Sequence, residues 1–231
     1  MPLKLYSHPL SSFCWKALIS VYENGAPFDL ILVDLMNEET RRDYRAISPL
    51  LKIPALVDEE RGRTVLESTV ITEYLDTFYP GKVRLLPDDP DKALRARELD
   101  RLYDGYIQHP MQKIVADRLR PAGDGDDWGV RKAQADLHAA CAMMEASVNG
   151  AGWALGETFT LADCAAAPAL FYANAVAPFG SDFPNLAGYL ARLMARPSFA
   201  RTLEEAEPYF DLFPLDRKPS LAPPTGSKGA A

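Results

Sequence analysis

Residues 3–18 read LKLYSHPLSSFCWKAL. Leu3 to Tyr6 has the alternation of a short strand, and Ser7-His8-Pro9 signals a turn. Phe13, Cys14, Ala17, Leu18, Val21 and Tyr22 then recur at helical spacing, and Gly25 suits the left-handed residue that closes a helix. A strand that turns directly into a helix leaves a hydroxyl, Ser11 or Ser12, among the free N–H groups of the helix amino end. The dipole there favours negative charge, so the turn suits a thiolate. Ser11 also suits a plain helix cap, and on the spacing alone that plain cap is the favoured reading.

Working outward, Phe28 to Val33 reads as a second strand, apolar enough to be buried on both faces. Arg41 to Ala46 reads as a short polar helix. Ala55-Leu56-Val57 is a third strand, and Arg61-Gly62-Arg63 turns into a fourth, Thr64-Val65-Leu66. Val70, Ile71, Tyr74, Leu75 and Phe78 share one face of a helix. The order predicts a small mixed sheet covered by helices over residues 1–80. Residues 81–90 form a linker that closes at Pro87-Asp88-Asp89-Pro90. Residues 91–208 read as helices only: a long one from Asp91 to about Arg118, then Val130–Val148, Leu161–Ala177, Asn185–Ala195 and Ser198–Glu207. Residues 209–231 form a Pro-rich tail whose end, Thr225 to Ala231, is expected from its composition to be disordered.

The chain has 231 residues, 48% hydrophobic and 25% charged, which suits two modest globular domains. Its net charge of −7 argues against nucleic acid as the main partner. No stretch approaches the roughly 18 apolar residues of a membrane span. The first residues lack the regions of a signal peptide. Cys14, Cys141 and Cys164 are odd in number and widely spaced, which disfavours both a disulfide framework and a Cys-rich metal site. A reduced, cytoplasmic setting is expected. His8, His109 and His138 lack metal-ligand spacing, so no metal is expected. Gly123 and Gly125 form no phosphate loop, because no Lys-Ser/Thr pair follows.

Two further features accompany the Ser11 turn. Ile53-Pro54 stands just before a strand, where a cis bond would expose the backbone of Ile53 to a peptide ligand. Glu67-Ser68 stands at a strand-to-helix junction, where Ser68 can cap the helix and the N–H groups can receive a carboxylate. Each has a plain alternative: a trans proline, or a solvated acid beside a cap.

Their order and spacing resemble the cytosolic glutathione S-transferase family, in its bacterial, serine-type form with some likeness to the zeta class. The resemblance runs from Leu3 to about Tyr209. LKLYSHPLSSFCWKAL matches the activating-serine turn, SPLLKIPALVD the cis-proline loop, and ESTVITEYLD the Glu/Gln-Ser pair. LLPDDPDKALRAR resembles the interdomain linker. FTLADCAAAPAL matches a capping box in which Thr160 caps, Asp163 reaches back and Phe159 staples onto Cys164.

The resemblance implies an α/β thioredoxin-like N-terminal domain plus an all-α C-terminal helical domain, acting as a homodimer. Glutathione would be the co-substrate and a small hydrophobic electrophile its partner. Ser11 would stabilise the thiolate, with Ser12 and Tyr6 as rivals. Glutathione would be bound by Lys52, Ile53, Pro54, Glu67 and Ser68, and Arg41 or Arg42 would be further candidates for its glycyl carboxylate. Trp15, Tyr103, Tyr106, Ile107 and Met111 are expected to line the electrophile pocket. Maleylacetoacetate-isomerase-like, glutathione-dependent etherase or lyase, and non-catalytic binding roles are the alternatives. The sequence also departs from the pattern. Phe13 stands where relatives often carry cysteine, so no two thiols share the turn, and Leu51 replaces a glycine common before the cis-proline loop.

Overall fold

The computed structural model describes residues 3–148 and 151–224; the stretch from Thr225 to Ala231 lies outside the described residues. In the N-terminal half, β1 (Leu3–Ser7) leads into α1 (Ser12–Asn24), β2 (Phe28–Leu32) and α2 (Glu38–Tyr44). After these come β3 (Ala55–Asp58), β4 (Arg63–Leu66) and α3 (Ser68–Phe78). The sheet order is β2-β1-β3-β4, with β1 parallel to β2 and antiparallel to β3, and β3 antiparallel to β4. Side chains alternate across a strand, so Leu3 and Leu5 share one face. There they are buried with Leu18 and Val21 of α1 and Ile71 and Leu75 of α3. Tyr6 points to the opposite face, its ring 5.7 Å from that of Tyr44.

Strand β2 departs from expectation. It is an edge strand rather than one buried on both faces, and Leu30 and Leu32 are 49% and 56% exposed. Helix α1 is the reverse case. It is buried nearly all round because one side meets the sheet and α3 and the other meets the helical half. It ends at Gly25, with φ of 79° and its N–H on the Val21 carbonyl at 2.8 Å.

Residues 90–117 are helical throughout, as the periodicity predicts, but they are not α throughout. Helix α4 (Pro90–Leu102) passes through a π turn at Tyr103–Gln108 into α5 (His109–Asp117). Pro110 supplies a reason: a proline inside a helix lacks the N–H that the residue four back requires and crowds that carbonyl. Helices α6 (Asp127–Ser147), α7 (Leu161–Val176), α8 (Pro184–Met194) and α9 (Pro197–Ala206) complete this half. The capping box forms at the start of α7, where Asp163 accepts the Thr160 N–H at 2.8 Å.

The chain does not leave the core after Pro208. Glu207–Leu212 is a 3-10 turn, Phe210 and Phe213 are buried, and Tyr172 stacks on Phe213 with centroids 5.6 Å apart. The first part of the expected tail is therefore packed onto the helical half. Gly81 admits the linker past α1, since a Cβ there would stand 1.9 Å from the Asn24 carbonyl oxygen. Among the described residues, no helix is long and apolar enough to cross a membrane.

Candidate active site

The turn between β1 and α1 is held from both sides. The Ser11 N–H donates to the His8 carbonyl at 3.0 Å. From the helical half, the Tyr172 hydroxyl donates to the Leu10 carbonyl at 3.0 Å, and from α1 the Trp15 indole donates to the Pro9 carbonyl at 2.6 Å. Ser11 is the N-cap of α1, its Oγ accepting the Cys14 N–H at 3.4 Å. A hydroxyl that accepts from the backbone still has its own proton to donate. Ser11 also lines a cavity of about 460 Å³, so capping and donation to a ligand are compatible.

Ser12 is placed differently. It is buried, stands outside the cavity wall, and accepts the Gln112 amide at 3.4 Å. Tyr6 faces α2 and His8 is half-buried; neither lines the cavity. Burial pushes the Cys14 thiol up despite nearby hydrogen bonds from the turn, so Cys14 is a protonated core residue.

The second wall is the loop before β3. The buried Ser48 hydroxyl donates to the Lys52 carbonyl at 3.0 Å and accepts the Lys52 N–H at 3.2 Å, while the Tyr44 hydroxyl donates to the same carbonyl at 2.8 Å. Burial pushes the Tyr44 hydroxyl up to about 12, which keeps it a donor. Leu51 has a φ of 54°, the left-handed region that glycine enters without penalty. The Ile53-Pro54 bond is cis. Lys52, Ile53 and Pro54 all line the cavity.

The third wall is the start of α3. Glu67, not Ser68, is its N-cap; it has φ 69° and ψ 121° and makes no side-chain cap bond. The expectation that Ser68 caps this helix is corrected: Ser68 is its first helical residue. Both line the cavity, and the amino end of α3 has no side chain folded over its N–H groups. Behind it, the buried Lys16 ammonium bonds Thr69 and Asp104 at 2.8 Å each and pairs with Asp100. Arg101 closes the group on Asp100 at 2.7 Å and Asp104 at 2.6 Å. Burial raises the Asp104 carboxyl against the pull of Lys16.

The expected electrophile pocket is corrected. Trp15, Tyr103, Ile107 and Met111 do not line the cavity; all four are buried in the helical core. Trp15 stacks on Tyr172 at 4.8 Å, and the other three form the stripe of α4–α5 that packs on α6 and α7. Tyr106 is exposed but outside the cavity. Arg41 and Arg42 also lie outside the wall, with Arg42 bonding Asp43 at 3.0 Å. The wall instead uses Phe13, Leu35, Leu50, Leu66, His109 and Gln112. His109 and Gln112 stand three apart on one face of α5, the polar spacing that would have indicated them. Among the described residues, no three His, Cys, Asp or Glu side chains gather as metal ligands.

A mixed four-stranded sheet with a cis-proline loop beside a helix amino end, joined to an all-helical half, defines a thioredoxin-like domain with a helical partner. The chain belongs to the glutathione S-transferase family, whose N-terminal domain model matches residues 5–83 and whose C-terminal domain model matches residues 111–197. It is 28% identical to a probable maleylacetoacetate isomerase of Caenorhabditis elegans, covering 88% of this chain and 94% of that one. A glutathione S-transferase of Methylobacillus flagellatus, solved with glutathione bound, is 28% identical with a TM-score of 0.78, covering 87% and 98% of the two chains. Another, of Methylobacterium radiotolerans in complex with glutathione sulfonate, is 30% identical with a TM-score of 0.73, covering 87% and 93%.

Proposed function

We propose that this chain binds glutathione in the 460 Å³ cavity and activates its thiol for attack on a small hydrophobic electrophile. The observation that carries the reading is the convergence of Ser11, the Lys52–Pro54 loop and Glu67-Ser68 on that one cavity. The related structures solved with glutathione and glutathione sulfonate support it. The γ-glutamyl carboxylate goes to Ser68 and the uncapped amino end of α3. The ammonium goes to Glu67, whose positive φ is the kind of backbone strain found at ligand clamps. The cysteinyl backbone pairs with Ile53, and Lys52 meets the glycyl carboxylate. The Ser11 hydroxyl then donates to the sulfur and favours the thiolate, which is the nucleophile.

An isomerase reading is favoured by the relative of that name, in which the thiolate would add to and leave the same substrate. Homodimerisation and a cytoplasmic setting complete the proposal, and sedimentation of the pure protein tests the first. Retention on immobilised glutathione followed by turnover of chlorodinitrobenzene tests the central reading. Retention without turnover of any electrophile would favour the binding-protein alternative.

A further inference from the structure

Three ionisable side chains line the cavity: Lys52, Glu67 and His109. The first two are absorbed by the ends of glutathione, and His109 is not. It opens α5, opposite the turn that carries Ser11, with the Phe13 ring edge-on at 6.2 Å between centroids. Neither of its ring nitrogens meets a hydrogen-bond partner among the described residues, and the residue is exposed, so it can exchange protons with water. Its neighbour on the same face, Gln112, is tied to Ser12 at 3.4 Å, which fixes this wall against the serine turn.

We propose that His109 is the proton donor to an electrophile whose oxygen gains charge as the sulfur bonds, as in addition to an α,β-unsaturated carbonyl. This rests on the glutathione reading above. The thiolate forms a C–S bond to the β-carbon; the C=C pair shifts to the α-carbon–carbonyl-carbon bond, and the carbonyl π pair moves onto oxygen. The imidazolium N–H gives its proton to that oxygen and becomes neutral imidazole, which regains a proton from water. Chlorodinitrobenzene needs no such proton, because its charge spreads over nitro groups and chloride leaves as an anion.

The test is the ratio of kcat with phenylbutenone to kcat with chlorodinitrobenzene, for the wild type and His109→Gln. Thiolate formation enters both rates and cancels in the ratio. In His109→Gln the ratio should be lower by about a hundredfold, the low end of general-acid catalysis. Equal losses with both electrophiles, or a wild type inert toward phenylbutenone yet active on chlorodinitrobenzene, would overturn the assignment alone. Absence of glutathione binding by calorimetry would instead remove the reading beneath it, and the proposal with it.

Discussion

In the proposed reading, Ser11 and Ser68 divide the work that glutathione demands of the first domain. Ser11 has one oxygen that accepts the Cys14 N–H and one proton left for the cavity. Ser11→Ala should lower kcat by the loss of a hydrogen bond to an anion, about 1.5–3 kcal/mol or roughly 10- to 150-fold, with glutathione affinity within a few-fold. Steady-state kinetics and calorimetry together check it. Ser68→Ala should act on the other parameter and raise the glutathione KM. Because Ser68 sits inside α3 and Glu67 holds the N-cap position, its loss should leave stability within about 1 kcal/mol of wild type by urea unfolding. A normal KM in that variant would detach the γ-glutamyl end from this helix.

At the scale of elements, the sheet and its connections hold the three walls in register. Asp58, at the end of β3, accepts the Tyr74 hydroxyl at 2.8 Å, the Tyr79 hydroxyl at 2.6 Å and the Arg61 N–H at 3.0 Å. Burial raises its carboxyl, but those hydrogen bonds outweigh burial and hold it below the usual carboxylate range. A folded pKa below the unfolded one gives stability that is present above the unfolded value and lost as pH falls through the folded one. Asp58→Asn should therefore cost about 1–3 kcal/mol near neutrality and flatten the acid side of the stability profile. Urea midpoints measured from pH 7 down to acid unfolding test the sign. The strand and helix order was legible because each element carries its own period and its own punctuation, such as Gly25 and the Asp163 box. The burial of β2 was not. An apolar run reads alike at the centre and the edge of a sheet, and only pairing decides which it is. The pocket-lining face of α4–α5 was hidden for a related reason: the π turn at Tyr103–Gln108 shifts the helix register between α4 and α5. Aromatic spacing pointed to the core stripe, while the cavity used His109 and Gln112.

Across the whole molecule the two halves are joined by charge as well as by apolar packing. Lys16 of α1 is buried between Thr69 of α3 and Asp100 and Asp104 of the helical half. Lys16→Ala would leave two buried carboxylates short of a cation and should cost about 3–5 kcal/mol in urea unfolding. The stretches that line the cavity from the N-terminal half were legible in sequence because local chemistry sets them, whereas docking of the halves decides what faces the cavity from the helical side. The central claim is that this cavity turns a bound thiol into a thiolate through Ser11. Its most direct measurement is the pH titration of thiolate absorbance for glutathione bound to the wild type and to Ser11→Ala. The account predicts a bound thiol that ionises well below the free-cysteine value of about 8.5, and a return toward that value in the variant. A bound thiol that titrates at the same pH in both proteins would contradict it.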